Sequence, residues 1–93
     1  MEGADHMKVL MTPIEILAWF TKNGIPHPLK FKYLNERQEE EVIKIDKILN
    51  RWEEKFAGKP TLVFHCQSEF RGTPKLFDIK YELHTSTWFL YRM

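Results

Sequence analysis

The residues whose types and spacing most suggest chemistry are His65 and Cys66, neighbours in the segment TLVFHCQSEF at positions 61 to 70. A histidine beside a thiol is the material of a metal site or of a nucleophile and its base. Apolar residues fall on one parity of this segment, which predicts a half-buried strand whose successive side chains point to opposite faces. The expected inward set is Leu62, Phe64, Cys66 and Phe70, and the outward set is His65, Gln67 and Glu69. We therefore expect an inert core thiol and a solvent-facing imidazole, with no joint site.

Signatures of metal, cofactor and catalytic sites are missing from the sequence. A metal ion needs three or four converging ligands, commonly spaced as CxxC or HxxxH. The histidines are instead scattered, at His6, His27, His65 and His84. We find no glycine-rich phosphate loop, GxSxG elbow or paired catalytic carboxylates. We predict no catalytic, cofactor-binding or metal-binding residue, and we expect His65 to meet Glu69 or Asp78 only as an ordinary cross-strand pair.

Basic and aromatic residues alternate in several segments, a pattern typical of small barrels that stack single-stranded bases on aromatics among lysines and arginines. The competing interpretation is that the aromatics form the core, because alternation directs Phe31, Tyr33 and Tyr81 inward, opposite their lysines. Three other aromatics would then remain as an exposed patch for a partner or for self-association. The candidate contact residues are the basic Lys30, Lys32, Lys80 and Arg92 and these three aromatics, Trp19, Trp52 and Phe89.

The composition indicates one soluble domain. Because 14 Lys and Arg face 13 Asp and Glu, the formal net charge is only +1, which argues against strong nonspecific nucleic-acid binding. The single cysteine excludes an intramolecular disulfide, and no secretory signal is apparent. The longest apolar stretch, VLMTPIEILAWF, has 12 residues, whereas a membrane span needs about 20. We expect a cytoplasmic protein, with residues 1 to 8 a disordered leader or cloning remnant and residues 9 to 93 a single β domain.

Residues 13 to 34 predict a hairpin around Asn23 and Gly24, since both residue types tolerate the positive φ of a tight turn. The two prolines that follow cannot donate hydrogen bonds, so the second strand is expected to begin near Leu29 and to lie at a sheet edge there. Its inward face is expected to comprise Leu29, Phe31 and Tyr33.

The C-terminal third predicts two more strands. Residues 71 to 74 supply a turn after the strand that carries Cys66, so the segment KLFDIKYEL completes a hairpin. Its expected inward residues are Phe77, Ile79, Tyr81 and Leu83, and its outward ones Asp78, Lys80 and Glu82. A turn at residues 84 to 86 leads to TWFLYRM, a short aromatic strand that we expect to be covered on both sides.

The middle segment is compatible with two interpretations. A 3-4-3-4 spacing of apolar residues and many good helix formers favour an amphipathic helix over about residues 38 to 57. The stripe consists of Val42, Ile45, Leu49, Trp52 and Phe56. Two observations favour a strand instead. The segment is rich in β-branched residues, and a helix would leave Ile43 exposed, whereas a strand places it beside Ile45 on one face.

Three segments resemble a family of small uncharacterised bacterial proteins. These are PLKF (28 to 31), VIKIDKILNRW (42 to 52) and WFLYR (88 to 92), which look like the Pro-x-x-Phe, Val-x-x-[Ile/Leu]-Leu-x-x-Trp and Trp-x-Leu-x-Arg motifs of that family. The resemblance covers roughly residues 26 to 92 and implies a small barrel-like β domain without an assigned activity. On this basis residues 40 to 49 are interpreted as a strand and residues 50 to 58 as a turn or short helix.

The expected fold is mainly β: a single small antiparallel barrel or strongly bent sheet of five or six strands, with an α+β fold carrying the middle helix as the alternative. The expected function is that of a non-enzymatic binding or protein-interaction module, which self-associates through the edge of the proline-bordered hairpin or binds a protein partner. The alternative is a weak single-stranded nucleic-acid-binding barrel. The sequence indicates no small-molecule ligand.

Overall fold

The computed structural model describes residues 7–93, and within that range the chain forms eight strands and no helix. The strands are β1 (Val9–Pro13), β2 (Glu15–Phe20), β3 (Pro26–Leu34), β4 (Glu40–Lys44), β5 (Lys47–Phe56), β6 (Lys59–Phe70), β7 (Thr73–Glu82) and β8 (Thr87–Arg92). The predicted leader at residues 1 to 8 falls mostly outside the described residues. Lys8 exchanges two backbone hydrogen bonds with Met93. The described part of the chain contains no helix long and apolar enough to cross a membrane.

The strands form two antiparallel sheets. The large sheet has the order β1-β8-β7-β6-β5, and the small sheet has the order β2-β3-β4. The chain passes between the sheets at Ile14 and again at Ile45 and Asp46. These corners are held by backbone bonds, from Ile14 N to Trp88 O at 3.0 Å and from Asp46 N to Gln67 O at 3.0 Å. The mainly β prediction is confirmed, whereas neither described sheet closes into a barrel.

The strand count exceeds the predicted five or six because extended segments bend and continue in the other sheet. Strands that turn a corner between packed sheets are a common device of such architectures. β1 leads directly into β2 through Ile14, and β4 leads into β5 through two residues. Pro13 stands directly before the first corner, but a single proline does not identify a change of sheet, and no glycine or proline lies at the second corner.

The core lies between the two sheets. Phe31 of the small sheet meets Phe77 of the large sheet edge to face, with ring centroids 5.4 Å apart. The buried cluster comprises Phe31, Ile43, Phe64, Cys66, Phe77, Ile79, Trp88 and Leu90. Burying each large apolar side chain contributes about 1.5–3 kcal/mol relative to exposure. Packing between the sheets is therefore the main stabilising term of the fold.

The middle segment is a pair of strands, so both the helix over residues 38 to 57 and the turn or short helix over 50 to 58 are wrong. Ile43, which the helix would expose, is buried directly opposite Phe31. Leu49 and Trp52, which the helix would bury, are exposed. Pairing of β5 with β6 along nearly its whole length supplies the tertiary contacts that override the helical spacing.

The predicted turns at residues 23 to 24 and 71 to 74 both connect hairpins, as expected. In the second, Arg71 and Gly72 have φ of 53° and 79°, which is the type I′ geometry that matches strand twist. Ala57 and Gly58 repeat it between β5 and β6, with φ of 54° and 80°. A two-residue turn fixes the register of each hairpin.

The β2–β3 hairpin departs from prediction in its alternation. β3 begins at Pro26 rather than near Leu29, although β4 pairs only with residues 30 to 34, so the prolines do lie where β3 has a single neighbour. The register with β2 shifts between Leu17 and Ala18, opposite Leu29. This bulge leaves Leu29 exposed instead of inward, while Pro28 becomes buried.

Other predicted orientations hold in the strand centres and fail at the ends. Phe64, Cys66, Phe77 and Ile79 are buried as predicted. Phe70 and Leu83 are exposed, because each lies at a turn beyond the edge of the opposite sheet. In β8, Trp88 and Leu90 are buried while Phe89 and Tyr91 are half-buried, so the expected cover on both sides is only partial.

Candidate functional site

His65 and Cys66 lie on opposite sides of β6, so the dyad suggested by their adjacency does not exist. Cys66 is fully buried in the core, and its Sγ lies 3.6 Å from the carbonyl oxygen of Phe64. Burial, followed by the nearby Asp78 charge, raises the pKa of the thiol to about 12. A neutral buried thiol is a poor nucleophile. The prediction of an inert core cysteine is therefore confirmed in its geometry.

The outer side of the large sheet, which we call the paired face, carries two rows of directly opposed residues. Each row follows the pairing partners from β5 through β6 and β7 to β8, because residues opposite one another share a face. One row is Trp52, Val63, Lys80 and Phe89, and the other is Asn50, His65, Asp78 and Arg92. Four of the seven predicted contact residues, Trp52, Lys80, Phe89 and Arg92, are thus brought together here.

The centre of the paired face is a buried carboxylate. Asp78 was predicted to point to solvent, yet only 1% of the residue is exposed. Its Oδ1 lies 2.5 Å from His65 Nδ1, and its Oδ2 accepts a 2.6 Å hydrogen bond from Arg92 Nε. The hydrogen bond to Asp78 raises the pKa of Arg92. A buried charge needs such partners, so this cluster is more than the ordinary cross-strand pair that we expected.

A bulge in β8 makes this cluster possible. Ile79 pairs with Leu90 and Asp78 pairs with Arg92, which leaves Tyr91 as an extra residue. Simple alternation from the buried Leu90 would direct Arg92 back into the core. With the bulge, Tyr91 and Arg92 both reach the outer side, because the Tyr91 ring contacts Lys80 and Arg92 contacts Asp78.

The charges of the paired face satisfy one another. The Lys80 ammonium lies 3.3 Å from Glu54 Oε1 and 3.8 Å from the centroid of the Tyr91 ring. Glu54 also accepts a 3.1 Å hydrogen bond from the indole of Trp52. The bond from Trp52, and to a lesser extent Lys80, holds the pKa of Glu54 below its usual value. The two cations predicted to contact a partner here, Lys80 and Arg92, are already neutralised within the chain.

The outer side of the small sheet, which we call the open face, has a different character. Trp19 lies opposite His27, and their rings stack with centroids 4.3 Å apart. Lys30 lies beside Leu17, and Lys32 lies between Glu15 and Val42. The open face comprises Glu15, Leu17, Trp19, His27, Lys30, Lys32, Leu34, Glu40, Val42 and Lys44. It holds the other three predicted contact residues, Trp19, Lys30 and Lys32.

Exposed apolar residues distinguish the open face. Four of its apolar residues are more than half exposed, namely Leu17 at 54%, Trp19 at 51%, Leu34 at 60% and Val42 at 57%. Lysines separate them, and the ion pair from Lys32 to Glu15 is long, at 4.0 Å, between two exposed side chains. Sequence reasoning missed Leu17, Val42 and Lys44, because only the pairing of β3 with β2 and with β4 shows that they share this face.

Two cavities lie at opposite ends of the gap between the sheets. One, of about 710 Å³, is lined by cations and carboxylates in similar number: Lys8, Arg37, Arg71 and Lys75 against Glu36, Glu39 and Glu41. Burial, then Glu41 and Glu36, raises the pKa of Tyr33 in its wall. Such mixed charge selects neither an anion nor a cation. Within the described residues, no three potential metal ligands cluster.

The second cavity, of about 260 Å³, lies between the β2–β3 turn and the exposed strand β5. Its wall includes Ile25 and Pro26 on one side and Arg51 and Glu53 on the other, and the buried Phe64 forms part of its lining. It marks the end of the interior that the small sheet leaves uncovered.

Comparison with known proteins identifies no relative: no family model matches the chain, no curated protein is detectably similar, and no solved structure matches. The resemblance to small bacterial β proteins therefore stays a prediction, and the surfaces described above carry the functional argument.

Proposed function

We propose that the protein is a non-enzymatic binding module and that a partner polypeptide docks on the open face. The single observation that supports this most is the set of four apolar residues, each more than half exposed, on one side of a three-stranded sheet. Several exposed apolar residues gathered on one face are characteristic of interaction surfaces. An exposed tryptophan is the residue type most enriched among binding hot spots. We place the module in the cytoplasm and regard the two bent sheets as an open barrel.

The chemistry of the open face defines the partner. Leu17 and Trp19 on β2 and Val42 on β4 supply apolar contacts, and Lys30 and Lys32 lie between them on the central strand β3. A complementary surface would present carboxylates between two groups of apolar side chains, because opposite charges favour the correct register and speed association.

A matched pair of variants tests the proposal. Leu17→Lys places a charge on the open face, whereas Leu76→Lys makes the same change at an exposed position on the large sheet. The wild type and both variants are immobilised, proteins retained from a bacterial lysate are identified, and the affinity of the purified partner is measured by calorimetry. We expect Leu17→Lys to weaken binding at least about tenfold and Leu76→Lys to leave it unchanged. Equal binding by the two variants would refute the proposal.

A second candidate function is the binding of single-stranded nucleic acid on the same face. The observation that favours it is the Trp19–His27 stack on the face that carries Lys30 and Lys32, since stacking rings among cations suit exposed bases. A labelled oligodeoxythymidine at low salt distinguishes the two functions. Nucleic-acid binding should fall steeply with salt and weaken in the double variant Lys30→Gln/Lys32→Gln but not in Lys80→Gln. No binding at low salt excludes this candidate.

A further inference from the structure

The strand β5 is a long, exposed sheet edge. It forms the border of the large sheet, and residues 47 to 55 are all exposed. The other three border strands, β1, β2 and β4, have five or six residues, whereas β5 has ten. Within the described residues only β6 pairs with β5. An exposed edge of this length is a template for another strand.

The hydrogen-bonding direction of β5 follows from its hairpin. Phe56 and Lys59 flank a two-residue turn, so their backbone groups bond to each other, and bonded pairs then alternate along the ladder. Pro60, which has no N–H, falls as required on the non-bonded pair with Lys55. By the same alternation Trp52 bonds to β6, while the N–H and C=O groups of Arg51 and Glu53 point away from the sheet.

The residues of β5 favour one way of pairing with a second copy of itself. With Trp52 on a two-fold axis, antiparallel pairing sets Arg51 of each chain opposite Glu53 of the other, which makes two ion pairs on hydrogen-bonded positions. Shifting the axis to Arg51 opposes two arginines, and shifting it to Glu53 or to Glu54 opposes two glutamates. Charge complementarity therefore selects the register centred on Trp52, where the two indoles meet at the closely spaced non-bonded position.

We propose that the protein forms a symmetric dimer in which β5 pairs with β5 of a second copy, with Trp52 on the two-fold axis. The two large sheets then form one continuous ten-stranded sheet. The second copy borders the cavity of about 260 Å³ beside Arg51 and Glu53. This surface is separate from the open face, so the dimer proposal can be tested independently of the proposed function. The hairpin edge β2 suits self-association less well, because it has six residues, fewer than the regular part of β5 between its bulge at Leu49 and its end at Phe56.

Charge reversal tests the proposed pairing with the full chain. Arg51→Glu alone opposes carboxylates, and Glu53→Arg alone opposes guanidinium groups, so each should weaken dimerisation about tenfold or more in sedimentation equilibrium. An equimolar mixture of the two variants should associate, since each chain then complements the other, and the double variant Arg51→Glu/Glu53→Arg should dimerise like the wild type. Both residues are exposed, so circular dichroism should show unchanged folding.

Disulfide formation tests the register separately. Trp52→Cys places two thiols across the axis, at a closely spaced pair whose geometry accommodates a disulfide, whereas Arg51→Cys faces Glu53 of the other chain. Mild oxidation should crosslink the first variant and not the second. A wild type that stays monomeric at all concentrations, a mixture that associates no better than either single variant, or equal crosslinking of the two cysteine variants would each overturn the proposal.

Discussion

The two outer faces of this molecule contrast in how their polar groups are used. On the paired face, Asp78 is buried between His65 and Arg92, and Lys80 is held by Glu54 and Tyr91. On the open face, within the part of the chain that the structure describes, Lys30 and Lys44 form no ion pair, and apolar side chains are exposed between the lysines. A face that satisfies its own charges contributes to stability, whereas one that leaves them unsatisfied is available to a partner.

The largest expected effect on this contrast comes from Asp78→Ala. The substitution leaves Arg92 and His65 without their buried acceptor, and breaking a buried charge cluster costs about 3 kcal/mol of unfolding free energy. Urea denaturation measures it. The control is Glu69→Ala, an exposed carboxylate outside the cluster, which should change stability by less than about 0.5 kcal/mol. Equal effects of the two variants would show that the cluster contributes no stability.

The next largest effect is expected at Cys66, whose thiol lies behind the paired face and should be protected from reaction with a thiol reagent. Cys66 should react with a thiol reagent at least about 100-fold more slowly in the folded protein than in urea. Because the folded pKa of about 12 lies above the unfolded value, this group stabilises the fold below pH about 9, and that stabilisation is lost as pH rises toward 12. Rapid labelling of the folded protein at neutral pH would contradict the burial.

Variants of the open face should be nearly neutral for stability. Val42→Thr changes an exposed side chain on a strand and should alter the free energy of unfolding by less than about 0.5 kcal/mol, while Trp19→Ser should cost about 1 kcal/mol through its stack on His27. Thermal unfolding measures both. A loss from Val42→Thr as large as that from Asp78→Ala would mean that the open face is structural.

The smallest effect is expected at the edge of the paired face. Glu54→Gln removes the charge of an ion pair whose carboxylate is exposed to water, so it should cost less than about 0.5 kcal/mol. Because the folded pKa of Glu54 is lowered, the wild-type advantage should be fully present above the unfolded pKa of a glutamate and be lost as pH falls through the lower, folded pKa. High salt should also reduce the difference. A difference unaffected by pH would indicate that the bond from Trp52, rather than the charge, matters.

Alternation of residue types predicted the centre of this fold well. The β6–β7 hairpin, its turn at Arg71 and Gly72, and the burial of Phe64 and Cys66 all follow from a period of two in the sequence. In such a hairpin the turn fixes the register, so local pattern and tertiary structure agree.

The pattern failed wherever an extra residue or a distant contact changes orientation. The bulge at Leu29 moves this side chain to the face opposite the one predicted, the bulge at Tyr91 moves Arg92 away from the face that simple alternation gives, and no residue type marks a bulge of this kind. Asp78 is buried because Arg92 and His65 surround it, which no single strand reveals. The candidate contact residues were predicted as one set, yet strand order divides them between two faces, since Lys30 and Lys80 belong to different sheets.

The bulges of the large sheet also have a geometric result at its β1 border. Between the same two rungs of the ladder, β7 has no intervening residue, β8 has Tyr91, and β1 has Leu10 and Met11. The length of backbone between these two rungs therefore increases from β7 to β8 and again from β8 to β1. A sheet whose border strand is longer than its inner strands cannot stay flat. The surplus of backbone, rather than any particular side chain, therefore favours curvature at the margin from which the chain crosses to the small sheet at Ile14.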